Sequence, residues 1–188
     1  FMDGAMIGDG KMVAFDFNNK IDAVRAVTSA GDNLVYFPEG FGDNDERAGS
    51  VRRFTDLAYS EGDDMADKTP MIFANAYTNA INGETAGATF QYALDAETDT
   101  LVSLANNAGT LKTIGKITVD GAAVDLAPMG GFDIVSSKEG ENMALAILQM
   151  EGAGSAGLYE IDLETGASTM KADLKMGGIT GFATSLGK

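Results

Sequence analysis

The sequence predicts an all-β protein built as a propeller-like series of antiparallel blades. Short runs of alternating apolar and polar residues, separated by turns of Gly, Asn and Asp, recur along the 188 residues. No convincing long helix pattern interrupts these runs. Two stretches, residues 90–105 and 157–172, share one plan: an aromatic strand, an Asp, a turn with an acidic residue and Thr, and a second strand. A hairpin repeated in this way is typical of propeller blades.

Twelve segments carry the strand pattern: residues 11–17, 22–28, 33–37, 71–77, 88–94, 100–105, 111–117, 130–135, 143–149, 157–163, 167–173 and 178–184. The segment 143–150 also has helical propensity, but glycine-rich stretches bound it closely and favour a strand. At four strands per blade the chain holds about three to four blades, which predicts an incomplete propeller that lacks upstream strands. The start at Phe1 does not resemble a translation start, so we expect a processed or incompletely represented chain.

We expect a single domain over residues 1–188, with residues 39–68 as a long acidic surface excursion. Two acidic clusters in that segment, residues 42–46 and 61–67, offer oxygen atoms of the kind that calcium binds. Neither cluster has the ligand spacing of an EF-hand loop, so a solvated acidic face is the favoured interpretation. Weak calcium binding is left open, and no other cofactor is expected.

Composition excludes several classes of function. The chain has 28 Asp and Glu against 13 Lys and Arg, and its net charge of −15 disfavours nucleic acid and anionic membranes. Cysteine and histidine are absent, which excludes disulfides, thiolate metal sites, imidazole chemistry and a Ser-His-Asp triad. The stretch GAGSAG (152–157) matches a dinucleotide-binding pattern, but a strand follows it where that fold requires a helix. We therefore interpret this stretch as a hairpin loop. We expect no catalytic residues in the chain.

The stretch 15–34, FDFNNKIDAVRAVTSAGDNL, places polar residues in apolar strands. The residues in question are Asp16, Asn18, Asp22, Arg25 and Asn33. Such residues either line a site or tie neighbouring strands together. We favour a structural polar network, in which a partly buried Arg25 bridges the carboxylates of Asp16 and Asp22. Asn33 is expected to accept the positive φ of the turn.

These polar positions belong to a set of motifs that covers nearly the whole chain. The set comprises residues 15–18, Asp22, Val24, Arg25, Val27, Gly31, Asn33, Leu34, the A-Y-T-N motif at 76–79, Leu94, Asp95, 106–115, 131–134, 157–166 and 179–183. In this order the motifs resemble a bacterial family of exported proteins known only as a domain of unknown function, number four-three-nine-four. The resemblance implies a propeller-like all-β fold and a secreted, periplasmic or cell-surface location, and it brings no established catalytic residues. Ala23 and Val35 stand where the family has Arg, which argues against a ligand role for that motif.

Two function hypotheses follow. The first is a non-catalytic exported module that binds a protein partner or self-assembles in the cell envelope or the extracellular space. The alternative is a carbohydrate- or small-ligand-binding protein, or a carboxylate-based hydrolase, that uses Asp16, Asp22 and Asp133 in a central channel. Two of these carboxylates facing each other in an open pocket would favour the alternative. Pairing each of them with Arg, Lys or backbone amides would oppose it.

Overall fold

The computed structural model describes residues 6–7 and 11–186, which form 15 β-strands and one short 3₁₀ turn. The strands assemble into three sheets of mainly antiparallel neighbours. The prediction of an all-β fold is therefore confirmed, whereas the propeller architecture stays a prediction. Within the described part of the chain, no helix has the length and apolar character needed to cross a membrane.

The first sheet is a four-stranded antiparallel meander. Its strands are β1 (Val13–Asn18), β2 (Ala23–Thr28), β3 (Asn33–Phe37) and β4 (Ser50–Arg53). The register pairs Asp16 with Arg25, and because side chains alternate along a strand, both side chains share a face with the buried Val27. The opposite face of β1 carries Phe15 and Phe17, which are both exposed. One face of this sheet is thus buried against the rest of the protein, and the other leaves aromatic side chains exposed.

The second sheet has five strands in the order β5-β9-β8-β7-β6. They are β5 (Ala58–Tyr59), β6 (Ile72–Tyr77), β7 (Gln91–Asp95), β8 (Thr100–Ala105) and β9 (Thr110–Lys116), with the 3₁₀ turn Asn106–Ala108 between the last two. Every residue of β6 is buried, because this strand lies between the neighbouring sheets. The short β5 pairs in parallel with β9 at the outer edge.

The third sheet has six strands in the order β11-β10-β15-β14-β13-β12. They are β10 (Thr118–Val119), β11 (Ala122–Ala123), β12 (Leu126–Lys138), β13 (Glu141–Met150), β14 (Ala156–Ile161) and β15 (Ala167–Asp173). The long β12 contains an irregularity before Gly130, whose φ is +140°. A Cβ at Gly130 would lie 2.1 Å from the carbonyl oxygen of Ile147, so only glycine fits there.

Strands β1, β6 and β12, which we call the inner strands, lie side by side with β6 between the other two. Residues 180–183 lie against β12, since a Cβ on Gly131 would be 2.5 Å from the backbone nitrogen of Phe182. One apolar cluster joins the first and second sheets through Ala14, Val27, Leu57, Tyr59, Ile72, Ala93, Val102, Leu104 and Leu111. A second joins the second and third sheets through residues that include Leu94, Leu101, Ile117, Ile134 and Leu148. The inner strands are therefore fixed by packing between sheets as well as by pairing within them.

Two segments differ from their predicted form. Residues 39–68, expected as a surface excursion, contribute strands β4 and β5 and bury Phe41, Leu57 and Tyr59. Residues 178–184 match the strand pattern but have no strand partner in the described residues, and they run as irregular backbone beside β12. The segment 143–150 is a strand, as predicted, and it joins β14 through the loop that contains GAGSAG.

Candidate functional site

Arg25 is the centre of a buried polar network between the first and second sheets. Its side chain is only 4% exposed and reaches out of β2 toward β6 and the 3₁₀ turn. The guanidinium donates to the Tyr77 hydroxyl at 2.9 Å, to Asn107 Oδ1 at 2.7 Å and to the Asn106 carbonyl at 3.2 Å. It also donates to Asn33 Oδ1. Four acceptors from three chain segments thus hold one buried cation.

The sequence prediction for Asn33 is wrong in its backbone role. The positive φ of the turn is held by Gly31, at +90°, and Asn33 is a fully buried residue at the start of β3. Its amide nitrogen donates to the carbonyls of Thr55 at 3.0 Å and Asn106 at 2.9 Å, while its oxygen accepts from Arg25. Asn33 therefore acts through its side chain, as a second link between the two sheets.

The predicted bridge from Arg25 to two carboxylates is also wrong. Asp22 is exposed in the turn between β1 and β2, where it has a φ of +50°. Asp16 lies opposite Arg25, but its carboxylate accepts from the backbone amide of Tyr77 at 2.6 Å. The ion pairs of the described residues do not include Arg25. The reason is geometric, because a turn places Asp22 beyond the sheet while β6 offers Asp16 a free amide.

Asn18 and Asn79 connect the ends of the inner strands. Asn18 Oδ1 accepts from the Lys20 amide at 3.1 Å and from the Thr89 hydroxyl at 3.2 Å. Asn79 has a φ of +61°, and its side chain donates to the Ala88 carbonyl and accepts from the amide of Gly140, both at 2.8 Å. Asn79 therefore fastens the second sheet to the hairpin between β12 and β13.

A pocket of 350 Å³ opens between the inner strands and the segment 180–183. We call it the inner-strand pocket, and the residues that line it include Phe15, Asp16, Phe73, Asn75, Phe132, Asp133 and Phe182. Asp133 repeats the contact made by Asp16, since its carboxylate accepts from the backbone amide of Thr184 at 2.6 Å. We call this contact the carboxylate–amide link, because in both cases a carboxylate of an inner strand binds the backbone of the next segment.

Burial raises the pKa of both carboxyl groups. The pKa of Asp16 rises to about 7, although the backbone amides of Tyr77 and Phe17 lower it, and the neighbouring Asp133 carboxylate raises it further. Burial also raises the pKa of Asp133, against the amides of Thr184 and Ile134. The pocket wall therefore carries two carboxyl groups that hold their protons more strongly than exposed aspartates do.

Asn75 on β6 is the unusual neutral residue of this pocket. It is 2% exposed, and neither its side-chain oxygen nor its side-chain nitrogen has a hydrogen-bond partner in the protein. Gln91 on β7 is equally buried and unpaired, but it does not line the pocket. Buried amides are almost always hydrogen-bonded, so an unpaired one at a pocket wall indicates a place for a ligand or a water molecule.

A family model described as a domain of unknown function (DUF4394) matches residues 4–183. The chain belongs to the DUF4394 family. A search of curated proteins found no match to it. In this DUF4394 chain, the motif residues Asp16, Arg25 and Asn33 join the first and second sheets, and Asn79 joins the second and third. Their positions make them structural links at the boundaries between sheets.

The acidic clusters of the DUF4394 chain stabilise their own loops. Asp45 binds Arg47 at 2.6 Å, and this side-chain contact lowers its pKa to about 2. Asp63 accepts from the Thr113 amide at 2.8 Å and from the Thr113 hydroxyl at 2.7 Å, which ties its loop to β9. Among the described residues, no three acidic side chains come together in a way that could hold a metal ion. Calcium binding therefore gains no support from these clusters.

Sequence reasoning missed Asn75, Asn106 and Asn107 as members of the polar sites. Asn75 interrupts the apolar run IFANAY in the way that Arg25 interrupts AVRAVT, and this pattern could have indicated that Asn75 is a buried polar residue. Asn106 and Asn107 lie within residues 106–115, one of the motifs that resemble the family. Their role depends on a contact with Arg25 across more than 80 residues of sequence, which no local pattern reveals.

Proposed function

We propose that this chain is a non-catalytic, exported interaction module in which the first sheet packs against a second copy of the chain. The proposal rests on the open face of the first sheet, which we define as Val13, Phe15, Phe17, Val24, Ala26, Leu34, Tyr36 and Val51. Phe15, Phe17 and Tyr36 are 63%, 61% and 42% exposed. Monomeric proteins rarely leave a large contiguous apolar patch in water, so such a face favours a partner.

Met6 and Ile7 lie over only part of this face. Met6 and Ile7 line a cavity of 360 Å³ together with Val24, Ala26, Leu34, Tyr36 and Val51. This contact is consistent with the burial of Leu34, which is only 2% exposed. The aromatic rings of Phe15, Phe17 and Tyr36 still meet solvent. These three rings are therefore the part of the face that a partner would bury.

A second copy fits this face better than a charged partner does. The opposite face of the same sheet already packs sheet against sheet, so face-to-face packing continues the architecture. In a two-fold pair each patch meets itself, which brings apolar atoms onto apolar atoms. The face has no carboxylate, and Arg53 at its edge is already paired with Asp32 at 2.7 Å and Asp56 at 2.6 Å. The net charge of −15 therefore does not concentrate where the copies would meet.

We extend the proposal to the architecture and the location. The three inner strands lie side by side, and the carboxylate–amide link occurs twice, which supports a propeller-like arrangement of the sheets as blades. The acidic composition and the resemblance to exported proteins support a secreted, periplasmic or cell-surface location. Immunoblots of fractionated native cells would test the location. Retention of the protein in the cytoplasm would refute it.

Sedimentation velocity at micromolar concentration and physiological salt tests the self-association. We expect a dimer for the wild type and a dissociation constant raised about tenfold or more by Tyr36→Glu, which buries a charge in the interface. Tyr36 does not line the inner-strand pocket, so this variant leaves that site intact. The matched control is Phe90→Glu, because Phe90 is 66% exposed and lies outside the open face. A wild type that stays monomeric, or two variants with equal effects, would refute the proposal.

The hydrolase alternative has less support. Asp16 and Asp133 line one pocket, as that alternative requires, but both accept backbone amides and Asp22 lies on an outer turn. A carboxylate whose oxygen is occupied by an amide at 2.6 Å is poorly placed to act as a nucleophile or base. The amide contacts do not cancel the negative charges, however, so a binding role for the pocket stands.

A further inference from the structure

We infer that the inner-strand pocket binds a small organic cation, an ammonium group on an apolar body, through Asp16, Asp133 and Asn75. This inference is independent of the self-association proposed above. Phe15 belongs both to the pocket lining and to the open face, so the tests use residues that belong to only one of them. Tyr36 does not line the pocket, and Asp133 and Asn75 do not lie on the open face. Three observations carry it: the size and lining of the pocket, the charge of its wall, and the unpaired amide of Asn75.

The dimensions of the pocket suit a small molecule. Its volume of 350 Å³ lies within the range of about 300 to 1,000 Å³ that is typical of ligand sites and is too large for a bare ion. Four phenylalanines are among the residues that line it: Phe15 from β1, Phe73 from β6, Phe132 from β12 and Phe182 from the following segment. An apolar body would bury these rings, and a cation near a ring face gains further attraction.

The charge of the wall selects for a cation. Asp16 and Asp133 both line the pocket, and neither takes part in the ion pairs of the described residues. Two partly buried carboxylates without a positive partner are unfavourable, and an ammonium group between them would supply the missing charge. The overall charge of −15 further raises the local concentration of cations around the protein.

Asn75 supplies an observation that does not depend on charge. Asn75 is only 2% exposed and lines the pocket. Both polar atoms of its side chain lack a hydrogen-bond partner in the protein. Its oxygen can accept an N–H from an ammonium group, and its nitrogen can donate to an oxygen atom of the same ligand. Gln91 shows that an unpaired buried amide does not mark a site by itself, so it is the position of Asn75 on the pocket wall that assigns the amide to binding.

Isothermal titration at physiological salt, with benzylammonium as the probe, tests the inference. We expect benzylammonium to bind at least tenfold more tightly than its neutral counterpart, benzyl alcohol. Asp16→Asn and Asp133→Asn should each weaken binding of the cation about tenfold or more. The control is Asp22→Asn, which changes the charge equally on an exposed turn that tolerates Asn, and it should leave the affinity unchanged.

A further variant separates binding from folding. Asn75→Leu removes the unpaired amide, so we expect the melting temperature to stay equal or rise while the affinity for benzylammonium falls. If Asp16→Asn does not fold, Asp133→Asn and Asn75→Leu still provide the test. Equal binding of benzylammonium and benzyl alcohol would overturn the inference. So would an equal loss of affinity in Asp22→Asn, or binding of calcium or glucose in place of the organic cation.

Discussion

Replacing Arg25 with alanine tests the connection between the first and second sheets. The guanidinium donates four hydrogen bonds, and its loss affects the acceptors unequally. Tyr77 keeps its own bond to Asn106 Oδ1 at 3.0 Å, and the exposed Asn107 can turn to water. Asn33 Oδ1 is fully buried and has no other donor, so it becomes an unsatisfied acceptor.

The expected loss follows from two contributions. An orphaned buried acceptor costs about 1–3 kcal/mol, and three buried methylene groups of the arginine stem contribute about 0.8 kcal/mol each. Removal of a buried charge that has no carboxylate partner offsets part of this loss. We expect Arg25→Ala to lower the free energy of unfolding by about 3 kcal/mol, and the melting temperature by roughly 6–12 °C for a chain of this size.

Urea and thermal unfolding of a small series provide the assay. Arg25→Met keeps most of the apolar stem and should destabilise the protein less than Arg25→Ala does. Arg25→Lys keeps the charge, but its ammonium group cannot bridge acceptors in several directions, so we expect it to restore the stability only in part. Lys171→Ala is the control, because Lys171 and its partner Glu160 are 44% and 42% exposed, and the loss of this surface pair should cost less than about 1 kcal/mol. If Arg25→Ala and wild type unfold together, the proposed link between the sheets is wrong.

The remaining predictions concern Asp16 and Asn79. Folding raises the pKa of Asp16 from 3.8 to about 7, so the folded state retains a proton that the unfolded state loses between these pH values. Stability should therefore fall as pH rises from about 4 to about 7, by an amount on the order of 4 kcal/mol, and then level off. The pKa of Asp133 is also raised, so this residue adds to the same dependence of stability on pH. Urea unfolding of Asp16→Asn between about pH 4 and about pH 7 should therefore show most, but not all, of that pH dependence removed. An unchanged slope would contradict the burial of Asp16. Asn79→Ala loses two side-chain hydrogen bonds and replaces Asn, which tolerates a φ of +61°, with Ala, which does not, so it should cost about 2–4 kcal/mol in thermal unfolding. Asn79→Gly should recover about 1 kcal/mol of that loss, and if it does not, backbone strain is absent from the cost.

Strand pattern was readable from sequence because it is a local property. Eleven of the twelve predicted segments overlap strands, since each has alternating residues over five or more positions. The strands that were not predicted, β4, β5, β10 and β11, have two to four residues each and too few positions to show a period. The segment 178–184 has the alternation but lacks a strand to pair with in the described residues.

The candidate sites were harder to predict, because they depend on which faces meet. Sequence indicated that Arg25 and Asn33 are unusual, but their partners lie up to about 80 residues away on another sheet. The nearby Asp22 was the natural choice for a partner of Arg25, and the turn carries it out to solvent. The inner-strand pocket could not be located without knowing that β1, β6 and β12 converge.

The carboxylate–amide link has a consequence for how such a chain can diverge during evolution. Asp16 and Asp133 each hold the following segment through a main-chain N–H, at Tyr77 and Thr184. Because every residue except proline supplies that donor, the receiving segment is free to change its side chains without breaking the attachment. At this contact the aspartate therefore places no requirement on the side chains of its neighbour. A duplicated sheet could thus acquire a new surface while keeping its place beside its parent.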